Sequence, residues 1–109
     1  MFNIIERPTF TRTVKVRVPK DNGVDEQDFK ATFNAMDDDA FNGLGMMDIE
    51  GTKEFLRQAV VSLDDLTGAD GKPIPYSEEI REAVFKLAYA RVALMGAFHN
   101  GMMGALPGN

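Results

Sequence analysis
From Thr13 to Val18 the chain alternates strictly, with Val14, Val16 and Val18 on one side and Thr13, Lys15 and Arg17 on the other. A period of two predicts a half-buried strand. Pro19 ends it, because proline has no N–H to give to a ladder. Lys20-Asp21-Asn22-Gly23 reads as a turn, its Asn-Gly pair suited to positive φ. Alternation resumes from Asp28 to Phe33, where Phe29, Ala31 and Phe33 share a face. Together these segments predict a β-hairpin with a long connection over about residues 11–34. An isolated hairpin is marginal in water, so its apolar face must lie on helices.

The period then changes. Asp37, Asp38 and Asp39 suit a helix start, where carboxylates cap free N–H groups and meet the positive end of the dipole. Phe41, Leu44 and Met47 form an apolar stripe for a short helix, which Gly43 and Gly45 weaken by about 1 kcal/mol each. Thr52 to Leu63 predicts a stronger helix, capped by Thr52, with Phe55, Leu56, Ala59, Val60 and Leu63 at three- and four-residue spacing. Two glycines and two prolines between Thr67 and Tyr76 predict a loop. Ser77 caps the next helix, with Glu78 and Glu79 in its first turn and Ile80, Val84 and Leu87 as its inner stripe. A last helix follows with little or no break, from about Ala88 to Met103, and Leu106 to Asn109 reads as a frayed tail. The expected fold is one α+β domain over residues 1–109: an N-terminal β-hairpin packed on three to four α-helices, the helical part running over about 38–104.

Composition narrows the chemistry. The absence of cysteine from these 109 residues excludes disulfides and thiolate metal sites, and a single histidine, His99, excludes a two-histidine metal site within one chain. A net charge of -5 argues against nucleic acid, which calls for a basic footprint. Arg12, Lys15, Arg17 and Lys20 form the one local basic stretch, and charges on an exposed strand face serve mainly to keep an edge from aggregating. Met1 to Ile5 is too short for a secretory signal core. The apolar run Val92–Phe98 has seven residues, against about twenty for a membrane span. The expected location is the cytoplasm.

Carboxylates are plentiful but unorganised. Placing Gly71 at the glycine of an EF-hand loop puts Leu66 first and Ser77 last, so both anchor positions fail and the segment reads as a solvated acidic turn. Glu78-Glu79 and Asp37-Asp38 have a sufficient explanation in the helix dipole. No nucleophile motif or phosphate-binding loop is present in the sequence. The sequence therefore nominates no catalytic residue, no metal ligand and no cofactor. A small enzyme built on the acidic loop would need a closed pocket joining Asp64, Asp65 or Asp70 to another titratable group. His99, near the end of the last helix, reads as a passive partner of the helix C-terminus.

The last helix asks for more than a local explanation. From Leu87 to Phe98 its only charge is Arg91, and a helix apolar nearly all round is either deeply buried or shared with a partner. Ala93, Ala97, Gly101 and Ala105 recur every four residues, a stripe that lets another backbone approach closely. Met95, Met102 and Met103 add soft, adaptable apolar surface. Two readings stay open: a core helix whose small residues seat the hairpin, and a partner-binding helix. Both can hold on different faces. The candidate contact residues are Val92, Met95, Phe98 and Met102.

One order of segments carries more. Pro8-Thr9-Phe10 and the strand Val14-Lys15-Val16-Arg17-Val18-Pro19 precede Phe55-Leu56-Arg57-Gln58-Ala59-Val60-Val61, then Asp64-Asp65-Leu66, the loop from Asp70 to Glu79, and Tyr89-Ala90-Arg91-Val92-Ala93-Leu94. This order resembles the tail assembly chaperones of long-tailed (siphovirus-type) bacteriophages and prophages, chiefly over Arg7–Val18 and Phe55–Leu94. Where that family often has a tryptophan near the end of its first long helix, Leu63 stands here. The resemblance implies a non-enzymatic protein of the bacterial host cytoplasm that binds the tape measure protein, keeps it soluble and helps recruit major tail protein, in part through a longer frameshifted form. It also implies self-association and absence from the mature virion. The alternative is a virion structural subunit such as a head–tail connector or tail-completion protein.

Overall fold
The computed structural model describes residues 1–40 and 48–104. It is a small α+β domain with an N-terminal antiparallel hairpin and three helices. β1 (Thr9–Lys20) and β2 (Gly23–Asn34) pair along their whole length, Thr9 opposite Asn34 and Lys20 opposite Gly23. The expected long connection is instead a two-residue turn, Asp21-Asn22, and Gly23 supplies its positive φ of +130°. Every residue from Pro19 to Asp28 is exposed, so no core lies under this end to impose an alternating pattern. Register holds it together. Lys15 stands opposite Asp28 and Arg17 opposite Glu26, cross-strand charge pairs worth roughly 0.2–1 kcal/mol each. Pro19 is tolerated because β1 is an edge strand.

Asp48 caps α1 (Ile49–Ala59), its carboxylate accepting the Gly51 N–H at 2.6 Å. The expected cap, Thr52, lies inside the helix, where its hydroxyl donates to the Asp48 carbonyl oxygen at 2.9 Å. The helix also stops earlier than its spacing suggests. Ala59 is its last residue, and Val60 opens β3 (Val60–Asp64), which pairs antiparallel with β2 to give a sheet of order β1-β2-β3. Phe33 pairs with Val60 and Thr32 with Ser62, leaving Val61 as the extra residue of a bulge. The bulge turns both Val60 and Leu63 into the core while Val61 stays exposed. In an unbroken strand, residues three apart point to opposite faces.

Asp65 follows at φ +61° and leads into a small ladder of β4 (Leu66–Thr67) with β5 (Pro73–Ile74), all but Leu66 of it within the Thr67 to Tyr76 segment expected to be loop. Ser77 caps α2 (Glu78–Phe85) as the sequence indicates, its hydroxyl accepting the Ile80 N–H at 3.1 Å. After Lys86 and Leu87 comes α3 (Ala88–Met102). A single 3-10 turn covers Asp38–Ala40. The helix expected over Phe41–Met47 and the tail from Ala105 lie outside the described residues.

The core forms where the inner face of the sheet meets the helices. Val14, Phe29, Ala31 and Phe33 come from the hairpin, Phe55, Leu56 and Ala59 from α1, Val60 and Leu63 from β3, Phe85 from α2, and Leu94 and Phe98 from α3. The most extensive contact between a helix and the sheet is that of α3 with β1. Gly101 permits it, since a Cβ there would run into the Phe10 ring, with Cδ2 2.7 Å away. Ala93 and Ala97, on the same stripe, pack part-buried against the core. The small residues therefore seat the hairpin, one of the two readings the sequence leaves open.

Polar links set the helices relative to one another. Arg57 of α1 grips Glu82 of α2, Nη2 donating to Oε1 at 2.7 Å and Nε to both carboxylate oxygens at 3.1 Å, while Nη1 donates to Glu54. The hydrogen bonds from Arg57 hold the Glu82 carboxyl below the usual range, against an opposing desolvation. Arg91 Nη1 donates to the Phe85 carbonyl oxygen at 2.8 Å, satisfying an orphan acceptor at the end of α2 and fixing the start of α3.

Candidate functional site
The four candidate contact residues go to three different environments. Phe98 is 3% exposed and belongs to the core. Its ring meets Phe55 at 5.1 Å and Phe33 at 5.6 Å in edge-on geometry and Phe10 at 6.0 Å. In this fold Phe98 is closed to a partner, because the helix face that carries it, with Ala90 and Leu94, is the one turned to the sheet. Met102 is part-buried at the far end of α3, beside a cavity of about 750 Å³ that it lines with Phe2, Phe10, Met36 and Gly101. Val92 and Met95 alone come together at one open place.

That place is a groove between the start of α1 and the first half of α3, with a volume of about 370 Å³. Ala88, Val92 and Met95 line its α3 side, and Ile49 and Thr52 its α1 side. Val92 is 73% exposed and Ile49 56%. Two exposed β-branched side chains facing one cleft, with a methionine between helices, make an apolar lining that adapts to its occupant. The rim is polar and its groups already have local tasks: Asp48 caps α1, and Arg91 closes α2. Lys53 and Glu50 pair at 3.6 Å on the same turn of α1. The lining chemistry suits apolar side chains of a partner, oriented by a polar rim.

The acidic loop carries its carboxylates at the surface, Asp64 and Asp65 beside an open cavity that they line with Leu66, Pro73 and Ile74. Asp64, Asp65 and Asp70 are all exposed. Asp70 accepts the Lys72 N–H at 3.0 Å across a turn in which Gly71 takes φ +74°, and Asp65 lies 3.9 Å from Lys30. These are turn and strand contacts. The basic stretch is divided as well: Arg12 points to the inner side of the sheet, its guanidinium 5.3 Å from the centre of the Phe10 ring, while Lys15 and Arg17 face acids across the hairpin. His99 is exposed in the last turn of α3. Among the described residues no group of three His, Cys, Asp or Glu side chains is placed to hold a metal ion, and no helix is long and apolar enough to cross a membrane.

Ile49 lies ahead of Thr52, where the sequence predicts the helix to start, and so is not among the sequence's candidates; Met1 to Ile5 reads there only as a segment too short for a targeting signal. Phe2, Ile4 and Ile5 are each at least 70% exposed. Their signal in the sequence is three large apolar residues ahead of any element that has a face to hide them. No family model, no curated protein and no solved structure matches the chain.

Proposed function
We propose that this chain is a tail assembly chaperone of a long-tailed bacteriophage or prophage. It binds the tape measure protein, keeps that long apolar helical chain soluble in the host cytoplasm, and helps bring major tail protein to it, in part through a longer frameshifted form. The observation that carries the reading is the open apolar groove of Ile49, Val92 and Met95 between α1 and α3, of which Val92 lies in the stretch that resembles the family. A helix-in-groove contact uses apolar anchors on one face of the client and leaves its polar face in water. One shallow groove binds weakly, and many copies along one long client gain avidity without a tight single site. The net charge of -5 keeps the loaded complex soluble.

Co-expression with the tape measure protein of the same genome, followed by size-exclusion chromatography with light scattering, tests the proposal. A soluble client that co-elutes with many copies of this chain is the expected result, together with absence of the chain from purified particles. A client that precipitates while this chain runs alone, or the chain's presence in mature particles, overturns the proposal in favour of a virion subunit.

A further inference from the structure
The pair Asn-Gly occurs twice among the described residues, as Asn22-Gly23 at the hairpin tip and as Asn100-Gly101 near the end of α3. Both asparagines are exposed, so access to the side chain does not separate them. What differs is the backbone nitrogen that follows each one. In asparagine deamidation that nitrogen is the nucleophile, and it must leave its own hydrogen bond to reach the side-chain carboxamide carbon. Glycine hinders this least, having no Cβ.

At the tip the nitrogen is easily freed. Every residue from Pro19 to Asp28 is exposed, and the turn closes on the register pair Lys20–Gly23 with no core beneath it. Gly23 stands at φ +130°, and a Cβ built on it would meet nothing within 4 Å. At Gly101 the nitrogen is locked. It lies inside α3, where helix geometry bonds it to the carbonyl four residues back. The chain around it is tied again, Met103 N–H donating to the His99 carbonyl oxygen and Gly104 N–H to that of Gly101, each at 3.0 Å. Phe10 packs on Gly101 so closely that a Cβ has no room there. Freeing Gly23 means opening one turn, whereas freeing Gly101 means lifting the end of α3 off the hairpin. Local opening costs least at exposed tips and most where an element is packed into the core.

We propose that Asn22 is a site of spontaneous covalent modification in the folded protein, and that the fold protects Asn100 from the same reaction. The Gly23 nitrogen forms a bond to Asn22 Cγ, the Cγ–Nδ2 bond breaks, and the amide nitrogen leaves as ammonia with the Gly23 proton. Water then opens the cyclic imide at one of its two carbonyls, giving aspartate or isoaspartate at position 22. Either product adds one negative charge to the chain's -5. Isoaspartate also lengthens the main chain by one carbon, at a tip where extra length disturbs no packed residue. The ageing chain thus gains charge and an altered turn while keeping its core, and it becomes a substrate for enzymes that methylate isoaspartyl carboxylates.

The test is to incubate the full-length chain in mildly alkaline buffer and follow the peptides carrying Asn22 and Asn100 by mass spectrometry. Asn22 should deamidate at least about tenfold faster than Asn100, a ratio that needs only about 1.4 kcal/mol more opening free energy at Gly101 than at Gly23. In guanidinium chloride the two rates should come within a few-fold of each other, because only the fold separates them. An isoaspartyl methyltransferase with a labelled methyl donor should mark the Asn22 peptide of the aged chain, and Asn22→Gln should abolish that mark. Asn22→Asp should leave circular dichroism and melting temperature unchanged. Equal rates at the two sites of the folded chain, or an Asn22 that stays intact there while the denatured chain reacts, would overturn the proposal. So would a ratio that persists in denaturant, since sequence context alone would then explain it, and an Asn22→Asp chain that has lost its fold.

Discussion

Gly101→Ala tests how the hairpin is seated. In an open helix the change is favourable by at most about 1 kcal/mol, because alanine is the better helix former. Here the new methyl group meets the Phe10 ring, with Cδ2 2.7 Å from the position of its carbon. On its core side that ring is held in place, while its other side faces the cavity it lines with Phe2 and Met36. It lies 5.4 Å from Phe33 and 6.0 Å from Phe98, with the Arg12 guanidinium on it. Forcing a methyl group into such a contact costs about 1–3 kcal/mol, so against the propensity gain the net effect is a loss of up to about 2 kcal/mol. For a domain of this size that lowers the melting temperature by up to roughly 15 °C. Urea unfolding of Gly101→Ala, Phe10→Ala and the double variant separates the two terms. Once Phe10 is truncated the clash is gone, and Gly101→Ala should become neutral or stabilising. A Gly101→Ala chain that melts higher than the original, or loses as much stability without Phe10 as with it, would refute the close approach of α3 to β1.

Further outcomes follow from contacts described above. Val92→Asp should leave the melting temperature within a few degrees of the original and abolish co-elution with the tape measure protein, since Val92 is 73% exposed; Phe98→Asp should prevent folding altogether, as Phe98→Ala alone costs about 3–5 kcal/mol. Glu82→Gln should cost about 1 kcal/mol at pH 7 by weakening a multiply bonded, partly exposed ion pair. Because Arg57 lowers the Glu82 pKa on folding, that contribution is full above the ordinary carboxylate pKa and disappears as pH falls through the folded value, so urea midpoints of Glu82→Gln and the original chain should converge in acid. Asp48→Ala should cost about 1 kcal/mol through loss of the α1 cap, read by the same urea titration.

The parts of the fold that were legible in sequence are those where one face is buried and the other wet. Val14 and Val16 against Lys15 and Arg17, Phe29-Ala31-Phe33, and the Ser77 cap with its two glutamates all carry their pattern locally. Two features hid. Residues 23–28 of β2 are exposed throughout, so charges matched across strands, not apolar alternation, define that half of the strand, and those matches appear only once the register is known. Val60 and Leu63 stand three apart and both face the core, which is helical spacing; only the bulge at Val61 makes the same spacing compatible with a strand. The site was half legible. An apolar stretch of α3 was visible, but which of its faces is spare depends on where the sheet lies. That geometry sends Phe98 inward, leaves Val92 outside and brings Ile49 beside it from a distant part of the chain.

The direct passage from Ala59 of α1 to Val60 of β3 makes one stretch of the chain intolerant of changes in length. With no linker to absorb it, a single residue inserted there turns the preceding helix by about 100° relative to the sheet, or reverses every side chain of the strand that follows. Phe55 and Leu56 would leave the core together, or Leu63 would exchange places with Ser62. The same insertion between Asp21 and Asn22 lengthens an exposed turn and disturbs neither helix nor core. A tag or reporter therefore belongs at the hairpin tip, and natural variation in length should collect there while the helix-to-strand junction keeps its residue count.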